Sequence, residues 1–304
     1  MFEQIIITIA TAATPLLIAA IGELVVERSG VLNLGVEGMM VMGAVTGFAV
    51  AFTTGNPWLG LIAAIVVGAL FSLLFAFLTL TLVTNQVATG LALTLLGLGL
   101  SGMIGESFTG LPGVKLPILN IPFLSDLPFV GKLIFGQDPV FYLSLVLTAC
   151  VAWFLFRTRA GLTLRSVGDN HASAHALGIN VIMIRYLAVM FGGACAGAAG
   201  GYLSLLYTPQ WIENMTAGRG WIALALVVFA SWRPWRVLAG AYLFGAVSIG
   251  QLHAQALGVG LPSQFLSSLP YLATIVVLVL ISRNRRLTMI NTPASLGRPF
   301  VPDR

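Results

Sequence analysis

The sequence predicts an all-α integral membrane protein, a polytopic bundle of about nine transmembrane helices with a broken or re-entrant helix and a helical segment on its cytoplasmic face. Three observations carry this. Of 304 residues, 58% are hydrophobic and only 8% charged, against about 25% charged in a soluble domain. The apolar runs are continuous, as in spanning helices of about 20 residues, and do not alternate as barrel strands do. The basic residues are nearly all arginines lying between those runs. Lipid is therefore the solvent, and a helix satisfies its own backbone there.

The first run, Ile5 to Val26, contains Pro15 and ends at Glu27-Arg28-Ser29-Gly30. The second, from about Leu34 to Phe52, stops at Thr53-Thr54-Gly55-Asn56-Pro57, a turn signal. The third spans Trp58 to Val83, and the fourth opens on Asn85-Gln86 and reaches Gly105. Residues 106–139 hold Pro112, Pro117, Pro122, Pro128 and Pro139, too many for one span, and read as a folded external loop with a short re-entrant or interfacial helix. The fifth span is Val140 to Phe156. A basic interval, 157–185, follows. Spans six to nine are Tyr186–Leu206, Gly220–Trp232, Val237–Leu257 and Leu266–Ile281. The transmembrane domain thus covers 1–286, and 287–304, with Pro293, Pro299 and Pro302, reads as a flexible cytoplasmic tail.

Nine spans put the termini on opposite sides, and the positive-inside rule orients them. With the C-terminus cytoplasmic, the inner segments hold Arg28, Arg157, Arg159, Arg165, Arg185, Arg233, Arg236, Arg283, Arg285, Arg286, Arg298 and Arg304; the outer hold Lys115, Lys132 and Arg219. The interval 157–185 is then cytoplasmic and the N-terminus external. A pI near 9.6 follows from this topology, not from nucleic-acid binding.

Catalytic, metal and cofactor sites are not expected. There is no phosphate-binding G-x-x-x-x-G-K-[ST] loop and no H-E-x-x-H, and His171 and His175 share a helix face without a third ligand. Cys150 and Cys195 read as buried small hydrophobes. Glu27 beside Arg28 reads as a boundary pair rather than a proton relay. Arg28 to Gly35 is either a tight cytoplasmic turn or a break of the kind that places backbone polar groups along a pathway. Asn33, Glu37, Asn85, Gln86 and Thr89 are the candidate pathway residues; Asn85, Gln86 and Thr89 fall on adjacent turns and could equally serve helix packing. Gly192, Gly193, Ala196, Gly197, Gly200 and Gly201 have the small-residue spacing of close helix crossings.

Four ordered blocks carry a resemblance. ERSGVLNLGVEGMMVMGA (27–44) resembles the N-terminal signature of the membrane permeases of bacterial ABC importers for simple sugars, branched-chain amino acids and nucleosides. NQVATGLALTLLGLGLSG (85–102) is most similar to the nucleoside-type branch. RAGLTLRSVGDNHASAHALGINV (159–181) resembles the segment that docks on the ATPase, and GRGWIALALVVFASWRPWRVLAGAYLFG (218–245) a late family signature. The resemblance implies a bacterial inner-membrane subunit forming half of a pathway for nucleosides or related nucleobase compounds. It implies two ATPase subunits, a second and longer permease, and an extracytoplasmic binding protein as partners, with no catalysis of its own. A permease for a simple sugar or branched-chain amino acid, and an ion-coupled secondary transporter, are the alternatives.

Within the docking block the residues predict a short helix, roughly Asn170 to Leu177. Gly168 leads in, Asp169 or Asn170 caps it, and Gly178 stops it. Ala172, Ala174 and Ala176 give it a small face, with His171 and His175 beside them. By the resemblance this helix couples to the ATPase; on its residues alone it is a surface helix.

Overall fold

The computed structural model describes residues 2–117, 136–258, 262–282 and 291–301. Among them run α1 (Phe2–Arg28), α2 (Val36–Thr54), α3 (Pro57–Ala76), α4 (Gln86–Gly105), α5 (Pro139–Arg157), α6 (Arg159–Asp169), α7 (His171–Ala176), α8 (Val181–Tyr202), α9 (Arg219–Phe229), α10 (Pro234–Ala256) and α11 (Ser263–Ser282). α3 and α8 continue into π-helical turns, Phe77–Thr81 and Leu203–Tyr207. No strand occurs among the described residues.

The polar turns between helices supply the caps. Asn56, Asn85, Asp138, Thr158, Asn170 and Asn180 each accept a hydrogen bond from a first-turn amide of the next helix, which satisfies an otherwise orphaned donor. Pro57 and Pro139 stand at first-turn positions, where a missing N–H costs nothing. Pro15 does not interrupt α1, which is helical from Phe2 to Arg28.

Each of the nine expected runs falls on a helix, and among the described residues seven helices are long and apolar enough to cross a membrane. The helices of the seventh and ninth runs are not among the seven, and the seventh is plainly short. α9 has 11 residues, about 16 Å of helix against a hydrocarbon layer of about 30 Å. Residues 208–218, which precede it, are irregular. The expected external loop 106–139 lies mainly outside the described residues; its start, Glu106–Phe108, is one 3₁₀ turn closing α4.

The core forms where α1, α2, α3 and α8 cross, and glycine makes the crossings close. A Cβ on Gly43 would collide with the backbone of Gly197, one on Gly68 with Gly193, and one on Gly200 with the carbonyl of Met40. Backbones at this range substitute dispersion for the hydrophobic drive that lipid removes, and Ser204 Oγ donates to the Ala44 carbonyl at 2.8 Å across the joint. The small-residue run in α8 is thus a packing surface. The outer faces are apolar: Leu59, Ile62, Val66 and Leu70 on α3, and Leu143, Val146 and Trp153 on α5, are exposed, as suits lipid. Cys150 lies on that outer face, contrary to expectation, while Cys195 is buried.

The segment after Arg28 is a buried break. Residues 29–37 are buried apart from Leu32 and Leu34, which are half-buried. The chain climbs back beside α1, so that Asn33 Nδ2 reaches Glu23 Oε2 at 3.4 Å, more than a helical turn from Arg28. Its backbone is satisfied by side chains: Leu32 N–H donates to Gln86 Oε1 at 2.8 Å, Gly35 N–H to Asn33 Oδ1 at 3.0 Å, and Thr94 Oγ1 to the Leu34 carbonyl at 3.1 Å. Non-helical backbone inside a bundle requires such partners.

Candidate functional site

The break delivers Glu37 to the head of the half-length helix. Glu37 is 2% exposed, and its carboxylate accepts from Thr216 Oγ1 at 2.6 Å, Gly218 N–H at 2.8 Å and Gly220 N–H at 2.6 Å. The amides belong to the N-terminus of α9, where the helix dipole favours negative charge. The carboxylate therefore caps α9 from another helix. Gly220 is required by this approach, because a Cβ there would stand 2.7 Å from the Glu37 backbone.

Backbone strain brackets α9. Asn214 and Ala217 have φ of 56° and 47° before it, and Ser231 and Trp232 have φ of 50° and 54° after it. Left-handed conformations of non-glycine residues cost energy and persist only where surroundings impose them, commonly at functional sites. At the far end of α9, Trp232 Nε1–H donates to Glu27 Oε2 at 2.6 Å, and Arg28 Nε and Nη2 donate to the Trp232 carbonyl at 3.3 and 3.0 Å. The expected Glu27–Arg28 pair is thus not made: adjacent residues on a helix point apart, and each takes a partner at the end of α9.

Above Glu37 a cleft of about 720 Å³ opens between α4 and α11, with α9 as its floor; Leu98, Asn214, Trp221, Tyr271 and Ile275 line it beside Glu37. Trp221 and Tyr271 are both exposed. The cleft offers aromatic faces, one amide and a helix terminus already neutralised by a carboxylate, which suits a small uncharged polar solute better than an ion. Arg219, counted with the outer segments on sequence, is the first residue of α9. It folds onto the Met215 and Thr216 carbonyls and lies over the Tyr207 ring at 5.6 Å.

Of the candidate pathway residues, only Glu37 borders the cleft. Asn33 is fully buried and braces the break. Gln86 is buried and holds Leu32. Asn85 caps α4, and Thr89 is exposed and bonds Thr84 Oγ1 at 2.9 Å. Sequence reading missed Asn214, Trp221 and Tyr271. The alternation of Asn214, Thr216, Gly218 and Gly220 ahead of an unusually short apolar run was the available signal.

The second site is the arginine-rich face. α7 has the expected caps: Asn170 Oδ1 accepts from Ser173 N–H at 3.0 Å, and Gly178 adopts φ +82°. Gly178 N–H donates to the His175 carbonyl at 2.8 Å and Ile179 N–H to that of Ala174 at 3.1 Å, a Schellman stop. Asp169 ends α6, and Gly168 packs on the Arg28 carbonyl. Ala172, His175, Ala176 and Leu177 are exposed while Ala174 is buried, so the alanines do not share one free face. His171 is half-buried; its Nδ1 lies 3.2 Å from Arg185 Nη2. Burial and the charges of Arg185 and Arg298 push its pKa down. Arg185 also donates to the Ser29 carbonyl at 3.1 Å, so α7 and the end of α1 share one support.

The chain matches the branched-chain amino acid transport system / permease component family over residues 5–282. It is 46% identical to the putative glucose ABC transporter permease protein TsgC13 of Haloferax volcanii, over 88% of each chain. It is 35% identical to the guanosine ABC transporter permease protein NupQ of Bacillus subtilis, over 95% of this chain and 93% of that one. With the nucleoside ABC transporter permease protein NupC of Lactococcus lactis it shares 34% identity, over 88% and 89%. No solved structure matches it.

Proposed function

Because the chain belongs to the branched-chain amino acid transport system / permease component family, we propose that it forms half of an importer's translocation pathway for nucleosides or related nucleobase compounds. It is a membrane-spanning permease component and not an enzyme; that membership sets the ion-coupled alternative aside. The observation that carries the substrate class is end-to-end similarity to two permeases named for guanosine and nucleosides. The cleft agrees with it: Trp221 and Tyr271 can stack on a planar base, Asn214 can hydrogen-bond a base edge or ribose, and no unpaired charge faces the solute.

Two ATPase subunits bind the arginine-rich face, with α7 as the contact that receives the push. Asn170 caps α7 and Gly178 with the Schellman stop ends it, and Leu177, 81% exposed, is its projecting knob. A second, longer permease completes the pathway, and a binding protein delivers solute from outside. The inner-membrane orientation, C-terminus inside, follows from the arginine bias. Arg28, Trp232, α6, α7 and residues 291–301 all meet on one side of the bundle, consistent with that orientation.

The test is uptake by the reconstituted importer, with the partner binding protein assayed against nucleosides, bases and sugars. Nucleoside binding and nucleoside-stimulated ATP hydrolysis are expected. Binding of glucose with no response to nucleosides would instead establish the simple-sugar reading, which the 46% identity to a putative glucose permease favours.

A further inference from the structure

The C-terminal segment, expected to be a flexible tail, is bound along the arginine-rich face. Arg28 Nη1 donates to the Asn291 carbonyl at 3.0 Å. Ser295 N–H donates to the Gly168 carbonyl at 2.9 Å, and Gly297 N–H to that of Gly30 at 3.1 Å. Arg185 Nη1 donates to the Arg298 carbonyl at 3.3 Å, and Ser295 Oγ to that of Asp169 at 3.3 Å. Asn291, Pro293 and Ser295 are buried. The segment therefore stitches the end of α1 to the end of α6 and the start of α8, and finishes beside α7.

It finishes on Phe300. The Phe300 ring centroid lies 5.2 Å from that of His171 and 5.3 Å from that of His175. These histidines are one turn apart and share a face of α7. The same ring packs on a small cluster formed by Val167, Ala174 and Val181, one residue each from α6, α7 and α8. Six residues are far too few for a helix to hold itself, and Ala174 is the one buried side chain of α7. Few contacts fix α7, and Phe300 touches it from a segment outside α6, α7 and α8.

We propose that residues 291–301 are a clamp that positions α7 for coupling, with Phe300 as its positioning residue. The clamp ties α7 to the Arg28–Trp232 joint that holds α9 under the cleft. A push on α7 then moves the bundle instead of being absorbed by a loose helix. The transport consequence rests on the reading of α7 as the ATPase contact; the positioning of α7 by Phe300 does not.

Two measurements test it on the full chain in nanodiscs. The first is amide hydrogen exchange over residues 171–179 in the permease. Phe300→Ala should speed exchange there on the order of ten-fold while α1 and α8 stay protected, and Phe300→Tyr should restore slow exchange. The second uses the complete importer and counts solute imported per ATP hydrolysed. Phe300→Ala, or truncation after Thr292, should lower that ratio several-fold with ATP hydrolysis retained, and Phe300→Tyr should recover it. Unchanged exchange in Phe300→Ala overturns the clamp. Leu177→Asp separates the two readings. If it leaves ATPase association intact, α7 is not the contact, and the exchange result still decides the clamp. If it releases the ATPase while Phe300→Ala changes neither readout, the clamp alone falls.

Discussion

Replacing Glu37 tests the cap on α9 directly. Its carboxylate takes two backbone amides and one hydroxyl at a position 2% exposed. In Glu37→Ala the Thr216 hydroxyl can turn to another acceptor, but the Gly218 and Gly220 amides cannot. An unsatisfied buried donor costs about 1–3 kcal/mol, which applies in full to Gly220 and less to Gly218, half-buried beside the cleft; losing a favourable charge at a helix N-terminus adds about 0.3–1 kcal/mol. Polar contacts within membranes run lower, near 0.6 kcal/mol on average, so the expected loss is about 2–4 kcal/mol. Glu37→Gln keeps one oxygen. Placed at the Oε1 position it still serves Thr216 and Gly218, and only Gly220 faces an amide nitrogen, so about 1–2 kcal/mol is expected. Unfolding of the permease in mixed micelles gives the stability, and reconstituted uptake gives the function. Both should order wild type above Gln above Ala. Glu37→Ala within about 0.5 kcal/mol of wild type would refute the cap. Glu37→Gln as inactive in uptake as Ala, yet as stable as wild type, would move Glu37 from positioning α9 to contacting solute.

Gly200→Ala should destabilise the isolated permease by about 1–3 kcal/mol, because its Cβ would meet the Met40 carbonyl and lie 2.8 Å from the Ala44 amide. Gly99→Ala, with nothing within 4 Å, should be neutral or stabilising by up to about 1 kcal/mol; thermal unfolding of both checks the crossing geometry. Gly178→Pro should abolish coupled uptake while leaving membrane insertion intact, since proline cannot adopt φ +82°, and the double change of Asp169 and Asn170 to Ala should weaken uptake through loss of the cap; normal transport in both would sink the coupling role of α7. The His171 pKa is held below the ordinary imidazole value of about 6.5 by burial, Arg185 and Arg298. The native state therefore favours the neutral ring, and its stabilising contribution is complete above about pH 6.5 and fades as pH falls through the lower folded value. Protection factors over α7, corrected for the intrinsic pH dependence of amide exchange, should fall on acidification, and His171→Gln should remove that fall.

Composition and run length exposed the helical architecture because lipid leaves the chain few alternatives: every span must be apolar and must satisfy its own backbone. Asn56 and Asn170 were legible as turn and cap residues, since they act within three residues of their own position; Asn85 and Asp138 act as locally, but Asn85 was read for a pathway and Asp138 was not singled out. α7 was read nearly residue by residue for the same reason. Its cap, its stop and its length are local.

What could not be read was long-range. Glu37 was singled out as an ionisable residue in an apolar run, but its partners lie 179 to 183 residues away, and no periodicity in α2 points to them. Asn33 and Gln86 have the same composition signal as a pathway residue; they differ from one only in facing a buried backbone that needs acceptors and donors. Arg28 shows the limit most clearly. Beside Glu27 it looks like half of an ion pair, yet its guanidinium spans two carbonyls, Trp232 and Asn291, that are themselves more than 200 residues away. A guanidinium presents five donors in a fixed fork, so one arginine can close the end of α9 and anchor the C-terminal segment at once. That geometry explains why a residue placed where topology alone would ask for a positive charge is also buried. Lysine at this position would satisfy the charge rule and lose the fork.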